Sequence, residues 1–93
     1  MYAIIYRLDA DSLELHPDAT SEAVEALLAA HGFAKQTPGF HMGGASSSPV
    51  RCVLAIQAIR EALPWFAACV KDLRMLRIAE VESLAPVLSG LEL

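Results

Sequence analysis

The opening stretch MYAIIYRL constrains the fold more than any other part of the chain. β-Branched Ile4 and Ile5, flanked by Tyr2 and Tyr6, read as a β-strand. Ala3 and Ile5 would share one face of it and Tyr2, Ile4 and Tyr6 the other, and both sets are apolar. A strand apolar on both faces belongs inside a sheet rather than at its edge. The pattern stops at Arg7-Leu8-Asp9-Ala10-Asp11, so a charged cluster falls where a central strand leaves its sheet. Function is expected near that cluster.

The other elements follow from local signals. Ser12–Asp18 reads as polar connection, stopped by Pro17. A helix is predicted from about Thr20 to His31, capped by Thr20 or Ser21 and ended by Gly32, with Val24, Leu27, Leu28 and His31 on its buried face. Ala34–Gly44 alternates Phe40 and Met42 with His41 but is punctuated by Pro38, Gly39, Gly43 and Gly44, which fits a bulged strand or a narrow hairpin. Ser48-Pro49 opens a second helix over about Pro49–Leu63, its apolar stripe formed by Cys52, Ile56, Ile59 and Leu63. Pro64 ends it, and Leu73–Ile78 is another strand. The tail, Glu80–Leu88, reads either as a short helix before Pro86 or as an extended arm.

Ninety-three residues with no internal boundary make one domain, 1–93, and a 55% hydrophobic, 19% charged composition supports a compact core. So much apolar surface on a small chain implies a homodimer. A net charge of −4 gives no global attraction to nucleic acid, so any such contact must use a local basic patch. Cys52 and Cys69 lack metal-ligand spacing and read as buried thiols of a reduced, cytoplasmic protein. No run is long and apolar enough to cross a bilayer, and no membrane partner is expected.

Strand, helix, strand or hairpin, helix, strand is the order of a split βαβ sheet with both helices on one face, the ferredoxin-like α+β arrangement. That topology makes the first and last strands antiparallel neighbours and brings Arg7 close to Asp72.

The opening MYAIIYRL, and LPWF followed by VKDLRMLRI, resemble the virulence-associated protein D (VapD) family. Its members open with MYA, a hydrophobic pair and an aromatic-Asp-Leu, and carry a PWF- or EWF-like turn before a valine-basic-Asp-hydrophobic-Arg segment. The resemblance implies a ferredoxin-like homodimer similar to the small CRISPR-associated ribonucleases. It also implies an endoribonuclease acting as the toxin of a toxin–antitoxin pair, with RNA as substrate and an antitoxin protein as partner. Trp65, Phe66, Asp72, Arg74 and Arg77 fit the family pattern. Two places depart from it. Tyr6-Arg7-Leu8 replaces the aromatic-Asp-Leu, so a cation stands where the family has an acid, and Pro38-Gly39-Phe40-His41-Met42 replaces a segment close to Gln-Gly-Ser-apolar-Tyr. The departures give a second reading, a catalytically lapsed VapD-like dimer that binds RNA or protein.

Candidate chemistry is therefore assigned to few residues. Asp9 and Asp11, two apart at a strand end and pointing the same way, could hold Mg²⁺ for phosphodiester cleavage, against the plainer reading of a solvated turn. His41 could take a proton from a ribose 2′-hydroxyl while Arg7 stabilises the phosphorane, against a histidine on the solvent side of a short strand. Lys71, Arg74 and Arg77 are candidate RNA contacts, although Arg74 and Arg77 fall on opposite faces of an ideal strand. Trp65 and Phe66 are assigned to core or dimer packing. Arg7 is expected to pair with Asp72 or Asp9.

Overall fold

The computed structural model describes residues 1–90, and side chains through 88. The elements are β1 (Tyr2–Leu8), α1 (Ala10–Glu14), α2 (Ser21–Ala30), β2 (Phe33–Thr37), β3 (Phe40–Gly43), α3 (Pro49–Ala62), α4 (Phe66–Cys69), β4 (Val70–Arg77) and α5 (Ala85–Gly90). The strands form one antiparallel sheet in the order β2-β3-β1-β4, so the doubly apolar first strand is interior. This is the ferredoxin-like α+β arrangement.

Both long helices cover the same face. Ile4 and Tyr6 of β1 and Phe33 of β2 pack with Val24 and Leu28 of α2 and with Cys52, Ala55 and Ile59 of α3. Each fully buried large aliphatic side chain here contributes roughly 1.5–3 kcal/mol. Thr20 caps α2 by accepting from the Ala23 N–H at 3.2 Å, and Ser48 caps α3 by accepting from the Arg51 N–H at 3.2 Å. His31, expected on the buried face of α2, is exposed at its carboxyl end.

The glycine-rich segment is a hairpin. Pro38 and Gly39 make its turn, with Gly39 at φ +80°, and the Gly39 carbonyl accepts from the Tyr6 N–H at 2.9 Å. The turn thereby extends the ladder of β1.

Two short helices lie where the sequence shows only connection. Asp9 starts α1, and α4 carries the chain from Trp65 into β4, which begins at Val70 rather than Leu73. Trp65 and Phe66 are 7% and 2% exposed and belong to the core. Phe66 is enclosed, while the edge of Trp65 lines a shallow surface cleft with Pro17 and Pro64.

The layer of helices stops short of the last strand. Leu73, Met75 and Arg77 of β4 stand opposite Tyr6, Ile4 and Tyr2, on the helix side, yet all three are exposed. Beyond β4 the chain has no regular structure through residue 84, with a bend at Ala79, before it enters α5, and every residue from 79 to 88 is exposed.

Candidate functional site

Arg7 and Asp72 are directly paired across β1 and β4, as the topology requires. The expected ion pair between them does not form. Arg74 Nε donates to Asp72 Oδ1 at 3.0 Å instead. Residues two apart on a strand share a face, so Arg74 reaches Asp72 without crossing the sheet. The pair is exposed and contributes only about 0–1 kcal/mol. Arg7 is exposed and has no ion pair among the described residues.

A bulge separates Arg7 from Leu8. Arg7 faces Asp72 while Leu8 faces Val70, so Lys71 is an extra residue on β4. Arg7, Asp72 and Arg74 share the face away from the helices, while Arg77 lies opposite Tyr2 on the helix side. The basic residues are therefore split, as the strand geometry predicts.

The Asp9 carboxylate is engaged. Its Oδ2 accepts from Ser12 Oγ at 2.7 Å and from the Ser12 N–H at 3.2 Å, which caps α1. Those two bonds hold the Asp9 carboxyl below its ordinary range, with nearby Lys71 adding to the effect. Asp11 sits in the first turn of α1. The two aspartates are thus a cap and a helix residue, not strand neighbours aimed one way. Among the described residues no group of three or more His, Cys, Asp or Glu side chains could hold a metal.

His41 departs most from expectation. It lies opposite Ile4, so it points into the helix layer rather than to solvent, and it is fully buried. Its ring stacks on Tyr6 with centroids 5.6 Å apart, and neither nitrogen has a hydrogen-bond partner among the described residues. Burial holds the imidazole below its ordinary value; Lys35 adds to that and Glu25 opposes it. A ribose could meet this ring only if β3 moved, so His41 is not placed to act as a base.

Glu25, on α2, was not legible as a functional candidate. It is half-buried, pairs with Lys35 at 3.1 Å, and lines a cleft of about 310 Å³ with Arg7, Tyr6, Ser21 and Gly39. Burial, with Glu25 and Glu22 adding to it, pushes the Tyr6 hydroxyl up to about 12. Nothing in the helix pattern marks Glu25; only the fold brings it beside the end of β1.

Fold and site together define a small ferredoxin-like α+β domain with an exposed arginine, unpaired among the described residues, at the mouth of its central strand. Its relatives give that class a family. The chain is 36% identical over 94 residues to the protein named Endoribonuclease VapD 2 of Riemerella anatipestifer, covering 96% of this chain and 100% of that one. It is 33% identical over 91 residues to the Endoribonuclease VapD homolog of Helicobacter pylori (strain ATCC 700392 / 26695), covering 95% and 96% respectively. The chain belongs to the VapD family. No family model matches it.

Proposed function

We propose that the chain is an endoribonuclease that binds the scissile phosphate through Arg7. The carrying observation is that Arg7 is exposed at the end of the central strand while Arg74 occupies the carboxylate of Asp72, the cross-strand partner of Arg7. A guanidinium keeps its charge at any working pH and offers a planar fork to phosphate oxygens. Two full-length relatives bear the name endoribonuclease, which supports the reaction class.

In this reading the 2′ oxygen attacks phosphorus as its proton passes to a carboxylate. The P–O5′ bond breaks, and the 5′ oxygen takes a proton from water. Arg7 stabilises the charge of the phosphorane. Glu25, which lines the same cleft as Arg7, is the carboxylate for the proton. Asp9, already bonded by Ser12, is a weak base and acts as the cap of α1 behind Arg7. Lys71 and Arg74 extend backbone contact along β4. The setting is a toxin–antitoxin pair, for which a small adjacent open reading frame encoding an antitoxin is the expected genomic sign.

The test is cleavage of mixed-sequence RNA, with and without a chelator, by the wild type, Arg7→Ala and Glu25→Gln. Loss in both variants, with the fold intact by circular dichroism, supports the reading. Cleavage unchanged in both places the centre elsewhere.

The departure at position 7 favours a second reading, in which the chain binds RNA without cutting it. Inactive wild type and an active Arg7→Asp variant would identify that case.

A further inference from the structure

The Tyr6 ring is fixed on several sides at the cleft that Arg7 and Glu25 share. It is 6% exposed, stacks on His41 with centroids 5.6 Å apart, and meets the edge of Phe66 at 6.4 Å. Its backbone N–H donates to the Gly39 carbonyl at 2.9 Å, which anchors the strand beneath it. The hydroxyl is left over. It makes no hydrogen bond among the described residues, and the buried, unpartnered side-chain atoms among them are the two nitrogens of His41 alone. The Tyr6 oxygen is therefore reachable from the cleft. An otherwise buried phenol normally gives its O–H a partner, and here the cleft is where one can enter.

Neighbouring strand residues point to opposite faces, yet Tyr6 and Arg7 line one cleft. The edge of β1 accounts for this. β3 pairs with β1 only through Ile5, and the Gly39 carbonyl closes the ladder at Tyr6. Beyond that point this edge of β1 is unpaired among the described strands, and groups from both faces reach around it. Arg7 comes from the outer face, Tyr6 and Glu25 from the helix side.

The charges suit a proton donor. Burial, then Glu25 and Glu22, push the Tyr6 hydroxyl up to about 12, so it keeps its proton at any working pH. It is still a stronger acid than water, at about 15.7. A leaving 5′ oxygen draws a proton from such a phenol more readily than from free water. Glu25 also couples the two proton transfers. Its negative charge helps to hold the proton on Tyr6. Once Glu25 has accepted the 2′ proton it is neutral, and that hold is released when Tyr6 must give up its own.

We infer that Tyr6 is a further catalytic residue, the donor that passes a proton to the leaving 5′ oxygen. This rests on the ribonuclease reading and names the route by which the proton arrives from water. The 2′ oxygen bonds to phosphorus as its proton goes to Glu25. The P–O5′ bond breaks, its electron pair stays on the 5′ oxygen, and the Tyr6 proton moves onto that pair. The products are a 2′,3′-cyclic phosphate and a 5′-hydroxyl. Water then reprotonates the phenolate, and the hydroxide so formed takes the proton from Glu25. Both residues return to their starting states.

The experiment is single-turnover cleavage of two short RNAs by the wild type, Tyr6→Phe, Arg7→Ala and Glu25→Gln. One RNA carries a single natural linkage that the wild type cuts, chosen from its cleavage of mixed-sequence RNA. The other has sulfur in place of the 5′ bridging oxygen of that linkage, which leaves as a thiolate and needs no proton. Tyr6→Phe keeps the ring on His41 and Phe66 and removes only the hydroxyl, so the melting curve should not move. It should slow the natural linkage by about a hundredfold to ten-thousandfold and cut the sulfur linkage near the wild-type rate. Arg7→Ala should be slow on both, since it acts on the phosphorane whatever group leaves. Equal loss on both linkages in Tyr6→Phe overturns the proposal and makes the hydroxyl a structural or phosphate contact. Undiminished cleavage of the natural linkage by Tyr6→Phe, with loss in Arg7→Ala and Glu25→Gln, overturns it while the ribonuclease reading stands. A wild type that cuts no RNA overturns the two together.

Discussion

The imidazole of His41 is stacked on the ring of Tyr6 at an interplanar angle of 24°, fully buried and with neither nitrogen bonded among the described residues. Such a ring can be buried only as the neutral form. In the unfolded chain it titrates near the ordinary value of 6.5, and in the folded chain below it. The folded state therefore binds fewer protons than the unfolded one as pH falls. Stability should be constant above about pH 6.5 and decline beneath it, by at most about 1.4 kcal/mol per pH unit. Thermal unfolding from pH 7.5 down to pH 5 measures this, and a His41→Leu variant should lack the decline.

Arg7→Ala should lower RNA cleavage by roughly a hundredfold to a thousandfold, the usual effect of removing one group that stabilises a developing oxyanion. Arg7→Lys should retain part of the activity, because it keeps the charge but not the fork. Neither change should move the melting temperature much, since Arg7 is exposed and makes no ion pair among the described residues. Initial rates on a labelled RNA, beside melting curves, separate the two effects.

Asp9 should behave as a cap. Asp9→Asn keeps an oxygen for Ser12 and should preserve both stability and cleavage, whereas Asp9→Ala should lower the melting temperature. Its bonds favour the charged form, so this contribution is present above the ordinary carboxyl value of 3.8 and fades as pH falls through the lower folded value. Melting curves of the two variants at neutral pH check the assignment, and an inactive but stable Asp9→Asn would return Asp9 to the chemistry.

Gly39→Ala should destabilise by about 1–3 kcal/mol, measured by urea unfolding. Its φ of +80° disfavours a side chain, and an added Cβ would stand 2.5 Å from the Tyr6 carbonyl oxygen. Gly32→Ala shares the positive φ, at +87°, but meets nothing within 4 Å, so its effect should be the smaller.

The architecture was legible where periodicity and caps speak together. The doubly apolar Tyr2–Leu8 announced an interior strand, Ser48 marked the cap of α3, and of the two caps read for α2, Thr20 or Ser21, Thr20 is the one used. Helices α1 and α4 have five and four residues, too few to show a repeat. The face of His41 was misread for a physical reason. Alternation says only that Phe40 and Met42 oppose His41, and the register opposite Ile4 decides which side is covered. Arg7 and Asp72 were rightly placed as neighbours, but the nearer competitor Arg74 took the carboxylate. Glu25 could not be read at all, because its nearness to β1 is made by chain crossing.

The unmatched Lys71 on β4 has a consequence for how this site tolerates change in length. A one-residue slip normally exchanges the two faces of a strand, and here it would turn Arg74 and Leu76 inward and Met75 outward. The bulge lies between the incoming α4 connection and the paired run from Asp72 to Arg77. It acts as a slack joint. A residue gained or lost around α4 can be absorbed at Lys71, leaving the orientation of every downstream side chain, Arg74 included, as it was.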